Sequence, residues 1–279
     1  MTNTTPVYWD VDGVSIQNFA WNIRTLTGRS GVANFRGSNV NLAYYPGTFH
    51  KAKTIDSKAL SLSMWVQGST ADGGAPTARS TELEFQKNWR ALRQLFWRDD
   101  SMPFTLTKRW IDPDTFEVMS ASALVENTGV MAPTMQGNAH ATFSVDLLML
   151  EGLFFGEEQT TVVEAGETVV IANPGDARTH KITMDFEGQL TNPVLTNATF
   201  APQNWVKLGS SVAIADTVTL DVDKMSARRD SDGANLIGAV TRSGMRQWFG
   251  LASGSNIVTL TRDAGSGQAI IKWRPAYFD

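Results

Sequence analysis

The side chains in this sequence whose types and spacing suit chemistry are aspartates beside glycines, paired carboxylates and three histidines. The stretches DVDG (Asp10, Asp12, Gly13) and DSDGAN (Asp230, Asp232, Gly233, Asn235) look like fragments of calcium loops. A hand-type calcium loop needs more oxygen ligands and a bidentate Glu at its twelfth position. The twelfth residues here are Trp21 and Thr241, so both stretches read as hairpin turns. His50, His140 and His180 stand in no metal-ligand spacing such as H-E-x-x-H and read as surface or hydrogen-bonded structural residues. Asp99/Asp100 and Asp221/Asp223 could serve acid–base work only opposite a partner across a cleft. The first pair follows a helix and reads as the start of a turn. The second lies on an alternating strand and is expected to face solvent.

Other reaction classes lack their residues. There is no cysteine, which excludes disulfides, thiolate zinc sites and cysteine nucleophiles. No Gly-Lys-Ser/Thr follows a glycine run, and no G-x-S-x-G elbow occurs. GSGQ after Ala264 reads as a hairpin tip and is a weak phosphate candidate. Lys87, Arg90, Arg93 and Arg98 give one helix a basic face, which reads as a solvated face or a protein contact. The reading is therefore of a non-enzyme with no metal and no cofactor. A formal charge of −4 offers no basic surface to nucleic acid and no polybasic anchor to a membrane. No stretch approaches the roughly 20 apolar residues of a membrane-crossing helix. The first residues carry no basic start or apolar run of a secretory signal, so synthesis and assembly in the cytoplasm are expected.

The elements that position these residues are mostly strands. YWDVDGVSI reads as a strand, a turn and a second strand. Residues 18–45 are loose and rich in Gly, Asn and Arg, and read as a long excursion outside the core. KALSLSMWVQG alternates, with Leu60, Leu62, Met64 and Val66 on one face. One convincing helix spans residues 80–98. Ser80 or Thr81 caps it, and Phe85, Trp89, Leu92 and Phe96 form its apolar stripe. PFTLTKRWIDPDTFEVMSASAL reads as a hairpin and ATFSVDLLMLEGLFFG as a further strand. From residue 157 on, turn signals every 8–12 residues without a helical period indicate an all-β sandwich. The expected fold is mainly β. A first domain, residues 1–156, carries the helix on a sandwich- or barrel-like β core. A β-sandwich follows over residues 157–279.

Nine tryptophans are spread over both regions: Trp9, Trp21, Trp65, Trp89, Trp97, Trp110, Trp205, Trp248 and Trp273. Core packing, sugar stacking and subunit interfaces all use such residues. In FAWNIRTLTGR and LAYYPGTF, aromatics stand beside arginine and glycine inside the excursion. That mixture suits contact with a neighbouring subunit, and the candidate interface residues are Trp21, Arg24, Arg29, Phe35, Arg36, Tyr44 and Tyr45.

Three stretches carry a resemblance: HKITMDFEGQLTNPVLTN, SVAIADTVTLDVDKMSARR and WFGLASGSNIVTL. Their order, with Asn192-Pro193 and Asn197, Leu220-Asp221, and then Phe249, Leu251, Gly254 and Asn256, resembles the second domain of phage distal tail proteins. The strand, turn, excursion and single helix resemble that family's ring-forming first domain. The resemblance implies a homo-hexameric ring at the end of a long-tailed phage tail, within the virion tail tip. It implies a galectin-like second domain. The tail tube protein, the tape measure protein and tail-tip or baseplate proteins would be partners, and DNA would only pass through the lumen. Sugar-binding galectins use His-x-Asn-x-Arg and Trp-Gly-x-Glu. Here Lys181 and Ile182 follow His180, and Phe249 and Gly250 follow Trp248, so those sugar contacts are missing. A carbohydrate-binding receptor-recognition role for the second domain is the alternative. In WFGLASGSN the physics points to packing: Phe249 and Leu251 turn inward, Gly254 makes the turn and Asn256 bonds its backbone. Trp273 and Tyr277 would close the core on the last strand.

Overall fold

The computed structural model describes residues 7–28, 35–36, 40–41, 48–49, 54–76, 80–98, 102–112, 115–243 and 248–278. It divides into two compact units, Met1–Phe154 with Phe278–Asp279, and Phe155–Tyr277. The fold is mainly β, with one α-helix among the described residues. No described helix is long and apolar enough to cross a membrane.

The first unit opens with β1 (Tyr8–Val11) and β2 (Val14–Ser15), joined by Asp12 and Gly13. Both turn residues have positive φ, 46° and 80°, as a two-residue hairpin turn matched to strand twist demands. β3 (Trp21–Thr27) follows. Short backbone ladders then pair β4 (Phe35–Arg36) with β7 (Thr54–Ile55), and β5 (Val40–Asn41) with β6 (Thr48–Phe49). Next come β8 (Lys58–Gln67), the helix α1 (Thr81–Phe96), β9 (Phe104–Ile111), β10 (Val118–Asn127), β11 (Thr134–Met135) and β12 (His140–Met149). β13 (Phe154–Gly156) leads into the second unit.

The main sheet runs β2-β1-β9-β10-β12-β8-β3, and every pairing in it is antiparallel. β8 behaves as its alternation requires: Leu60, Leu62, Met64 and Val66 are buried. α1 packs on that strand. Ser80 caps it by accepting from Leu83 N–H, and Glu82 and Glu84 stand in the positive first turn. Phe85, Leu92 and Phe96 bury the stripe, with Phe96 edge-on to Phe104 at 6.0 Å and Trp89 edge-on to Phe143 at 5.0 Å.

β3 corrects the reading of residues 18–45 as lying wholly outside the core. Trp21–Thr27 is the edge strand of the main sheet, paired from Trp21↔Val66 to Thr27↔Ser61. Its register shifts between Ile23 and Thr25, so Arg24 is the extra residue of a bulge. The shift breaks the two-residue period, and the side chains of the strand are half-buried or exposed without alternation. β8, not local pattern, holds this strand in place.

The second unit is a sandwich. One sheet of six strands runs β14 (Gln159–Glu164), β24 (Ala264–Trp273), β16 (Ile182–Thr191), β20 (Thr217–Asp221) and β21 (Ser226–Arg229), with β19 (Ser211–Val212) on β16. The other, of five strands, runs β15 (Thr168–Asn173), β23 (Gly254–Thr261), β17 (Val194–Asn197), β18 (Asn204–Leu208) and β22 (Val240–Arg242). β25 (Ala276–Tyr277) ends the chain's last run. The inner faces meet in one core that includes Met184, Phe186, Leu195, Leu220, Trp248, Phe249, Leu251, Ile271 and Trp273. Tyr277 is also buried.

GSGQ is not a hairpin tip. The β23–β24 tip is Arg262–Asp263, and Gly265–Gln268 lie inside β24. A Cβ at Gly265 would stand 2.1 Å from Gln189 O, and one at Gly267 2.3 Å from Glu187 O. Glycine is there because strand β16 comes too close for any side chain. No phosphate cradle follows from it.

Candidate assembly interface

Among the described residues, Asp10, Asp12, Asp221, Asp223 and Asp232, which the sequence offered for chemistry, are engaged structurally. Asp10 is buried in the first unit, its Oδ2 2.8 Å from the Arg109 guanidinium. Asp12 Oδ1 accepts from Thr105 N–H, and its other oxygen pairs with Arg98. In the second unit Asp232 Oδ1 accepts from Ala234 N–H, and Asn235 Oδ1 from Ile237 N–H. That backbone bond is the main reason the Asp232 carboxyl is held below its ordinary pKa, with Arg229 adding to the effect. Both aspartate stretches are thus turns.

Asp221 and Asp223 do not face one another. Asp221 binds Lys224, and Asp223 lies 2.8 Å from Lys181 and 3.7 Å from His180. His140 stacks on Trp65, with ring centroids 6.0 Å apart. His50, Asp99 and Asp100 lie outside the described residues. On the basic helix face Lys87 pairs with Glu84 at 2.6 Å and Arg98 with Asp12, while Arg90 and Arg93 are exposed. Among the described residues no group of three or more His, Asp or Glu is placed to hold a metal ion.

The tryptophans sort by burial. Trp9, Trp248 and Trp273 are core residues. Trp21, Trp65, Trp89, Trp110 and Trp205 are half-buried. Trp97, just past the end of α1, is 52% exposed.

Two grooves on the first unit follow from this, the first apolar and the second of mixed character. In the first, Trp21 lies with Val14, Ala91, Gln94 and Leu95, so the edge strand, the first hairpin and the helix share one depression. Asn18 holds the entry to β3 by accepting from Ala20 and Trp21 N–H, and Trp21 Nε1 donates to Ser15 O at 3.1 Å. Arg24 is exposed at the bulge. In the second, Trp97 and Met102 border a cleft with Phe96, Arg98, Phe104, Glu126 and Asn127. Met102 is 60% exposed. Sequence reading missed this cleft as a surface because Trp97 continues an aromatic run that ends a buried stripe. Of the remaining interface candidates, Phe35 and Arg36 are described only as a backbone ladder with β7. Arg29, Tyr44 and Tyr45 lie outside the described residues.

In the second unit, the loop Trp248–Gly254 is held by four buried asparagines. Asn256 Oδ1 accepts from Ala252 N–H at 2.8 Å, and its amide donates to Ala252 O and Gly254 O. Asn197 donates to Gly250 O and to Asn256 Oδ1, both at 3.0 Å. Asn204 accepts from Gly250 N–H and donates to Trp248 O, and Asn173 donates to Ala252 O. Asn197 and Asn256 belong to the sequence pattern noted above. Asn173 and Asn204 were missed. Arg178 packs over Phe200 at 4.6 Å and donates to Trp248 O; burial pulls its pKa down.

No family model matches the chain, and no curated protein matches it. Its fold is similar to that of the SPP1 Dit protein, described as a paradigm of the hub adsorption apparatus in phages that infect Gram-positive bacteria. The likeness covers 97% of this chain and 99% of that one, with a TM-score of 0.63 and 14% identity. At that identity it is a likeness of fold. The phage p2 baseplate in its activated conformation also aligns, over 95% of this chain and 98% of that one at 8% identity, but with a TM-score of 0.39 that carries no weight.

Proposed function

We propose that this protein is a structural component of a phage tail tip. Six copies of residues 1–156 form a closed ring at the distal end of a long-tailed phage tail. Residues 157–279 act as a galectin-like adaptor domain. The ring joins the tail tube protein and the tape measure protein to the tip or baseplate proteins, and DNA passes through its lumen without being gripped.

One observation carries this reading: the fold agrees with a hub protein's from end to end, over 97% of this chain. The surface supports it. A protein that works by contact needs apolar area to bury, and the first unit offers the Trp21 and Trp97 grooves. A ring closes when head-to-tail contacts repeat through a rotation that returns to the start. The sugar-binding reading would gain from a tryptophan-lined exposed face on the second unit. Its tryptophans are Trp205, half-buried, and Trp248 and Trp273, buried.

Native mass spectrometry of the full chain at low micromolar concentration tests the proposal. The expected mass is that of a hexamer; a persistent monomer contradicts it.

A further inference from the structure

Hydrogen-bond parity shows which backbone groups of β15 have no strand beside them. Ala198 N–H donates to Ile257 O at 2.9 Å, so the odd-numbered residues of β23 turn their backbone groups toward β17. The even-numbered residues turn theirs toward β15. The register places Val169 opposite Val258 and Ile171 opposite Asn256, and Leu260 N–H donates to Glu167 O in the same phase. Thr168, Val170 and Ala172 therefore aim their N–H and C=O groups outward. β15 is the end strand of its sheet, and these backbone groups make no hydrogen bond among the described residues.

Native sheet edges are normally blunted by a charge, a proline or a bulge. β15 reads Thr-Val-Val-Ile-Ala-Asn in unbroken register and has none of these. Val170 is 67% exposed and Ile257 46%, and the two stand directly opposite one another on the outer face. An apolar pair thus borders the open edge. The turn into it is acidic. Between Gln159 and Asn173 the chain carries Glu164 and Glu167 and no Lys or Arg. Exposed Glu164 and Glu167 flank the turn into β15. Of the cations nearby, Lys272 is engaged by Asp185, and Arg262 lies beside Gly166.

We propose that β15 is a docking edge that takes an extended segment of another protein as an added strand. The chemistry of the occupant follows. Its backbone pairs with Thr168, Val170 and Ala172. An apolar side chain lies beside Val170 and extends the Val170–Ile257 row. Lys or Arg residues flank that centre and meet the acidic turn. A second copy of this chain is a poorer occupant, because it would bring a second acidic turn. The inference does not rest on the ring: the mass of the assembly and the occupancy of this edge are separate observables.

The test uses the full chain and two end-blocked peptides, KTVTVK and its acidic counterpart ETVTVE. Amide exchange at Thr168, Val170 and Ala172 is expected to be fast in the free protein and about tenfold slower with KTVTVK. Added salt should reverse the protection, and ETVTVE should give none. Val170→Pro deletes an outward N–H and leaves the β23 ladder intact, so the fold should persist and KTVTVK should bind about tenfold more weakly. Val170→Lys keeps the N–H but sets a cation on the edge, and it should weaken KTVTVK as well. It provides the reading if the proline variant does not fold. The proposal is overturned if KTVTVK protects none of the three amides, or if both peptides protect alike. Undiminished binding to a folded variant would also overturn it, as would a dimer of the free protein that Val170→Pro dissociates. The native mass of the Val170 variants reports on the ring independently.

Discussion

Asn256 shows how this protein uses polar side chains: it is fully buried, and both ends of its amide bond the backbone of one loop. Asn256→Ala would leave the half-buried Ala252 N–H and one buried donor of Asn197 without their acceptor. Each stranded group costs about 1–3 kcal/mol, so we expect a loss of about 3 kcal/mol in urea unfolding, with the sandwich fold retained. Trp248 stands at the other end of the loop, 5% exposed with Arg242 over its ring. Trp248→Ala should cost about 3–5 kcal/mol. Its indole N–H is buried and finds no partner among the described residues, so Trp248→Phe should cost clearly less. An unchanged melting curve for the alanine variant would contradict this placement. Lys272 gives a pH signature. Its hydrogen bond to Asp185, and then the attraction of that carboxylate, raise its pKa above the ordinary 10.5. The raised value belongs to the folded state. The stabilisation is therefore full below pH 10.5 and is lost as pH rises through the folded value. Unfolding curves from about pH 9 to about pH 12 should show this alkaline loss in the wild type and a smaller one in Lys272→Met.

At the scale of elements, the helix was the most legible feature because its signals are local. Ser80 stands at the cap, acids fill the first turn, and apolar residues recur at spacings of three and four. Ser80→Ala should cost about 1 kcal/mol by thermal denaturation; no change would show the cap to be idle. β8 was legible for the same kind of reason, since its period of two is unbroken. β3 was not, because a bulge at Arg24 interrupts the period and the pairing partner lies in β8. The glycines of β24 misled because Gly-Ser-Gly is ordinary turn chemistry. Only the close approach of β16 reveals them as strand residues. Asn173 and Asn204 were hidden likewise. They bond backbone groups 79 and 46 residues away, and such bonds leave no local pattern.

At the scale of the molecule, the sequence made the β character readable, because short alternating runs between turn residues are a matter of residue type and spacing. The packing role of Trp248, Phe249 and Leu251 was readable too, since large apolar groups beside a tight turn have few other uses. The candidate interface was only partly readable. Trp21 and Arg24 stand at an exposed sheet edge, while the Trp97–Met102 cleft emerges only when the end of α1 is set against β9 and β10. The account's central claim is that this surface exists to be covered by identical copies. Negative-stain electron microscopy of the purified full chain tests it most directly. The account predicts six-fold class averages with a central hole, lost on Trp97→Glu while the subunit stays folded. Single, unassociated particles at all concentrations would contradict it.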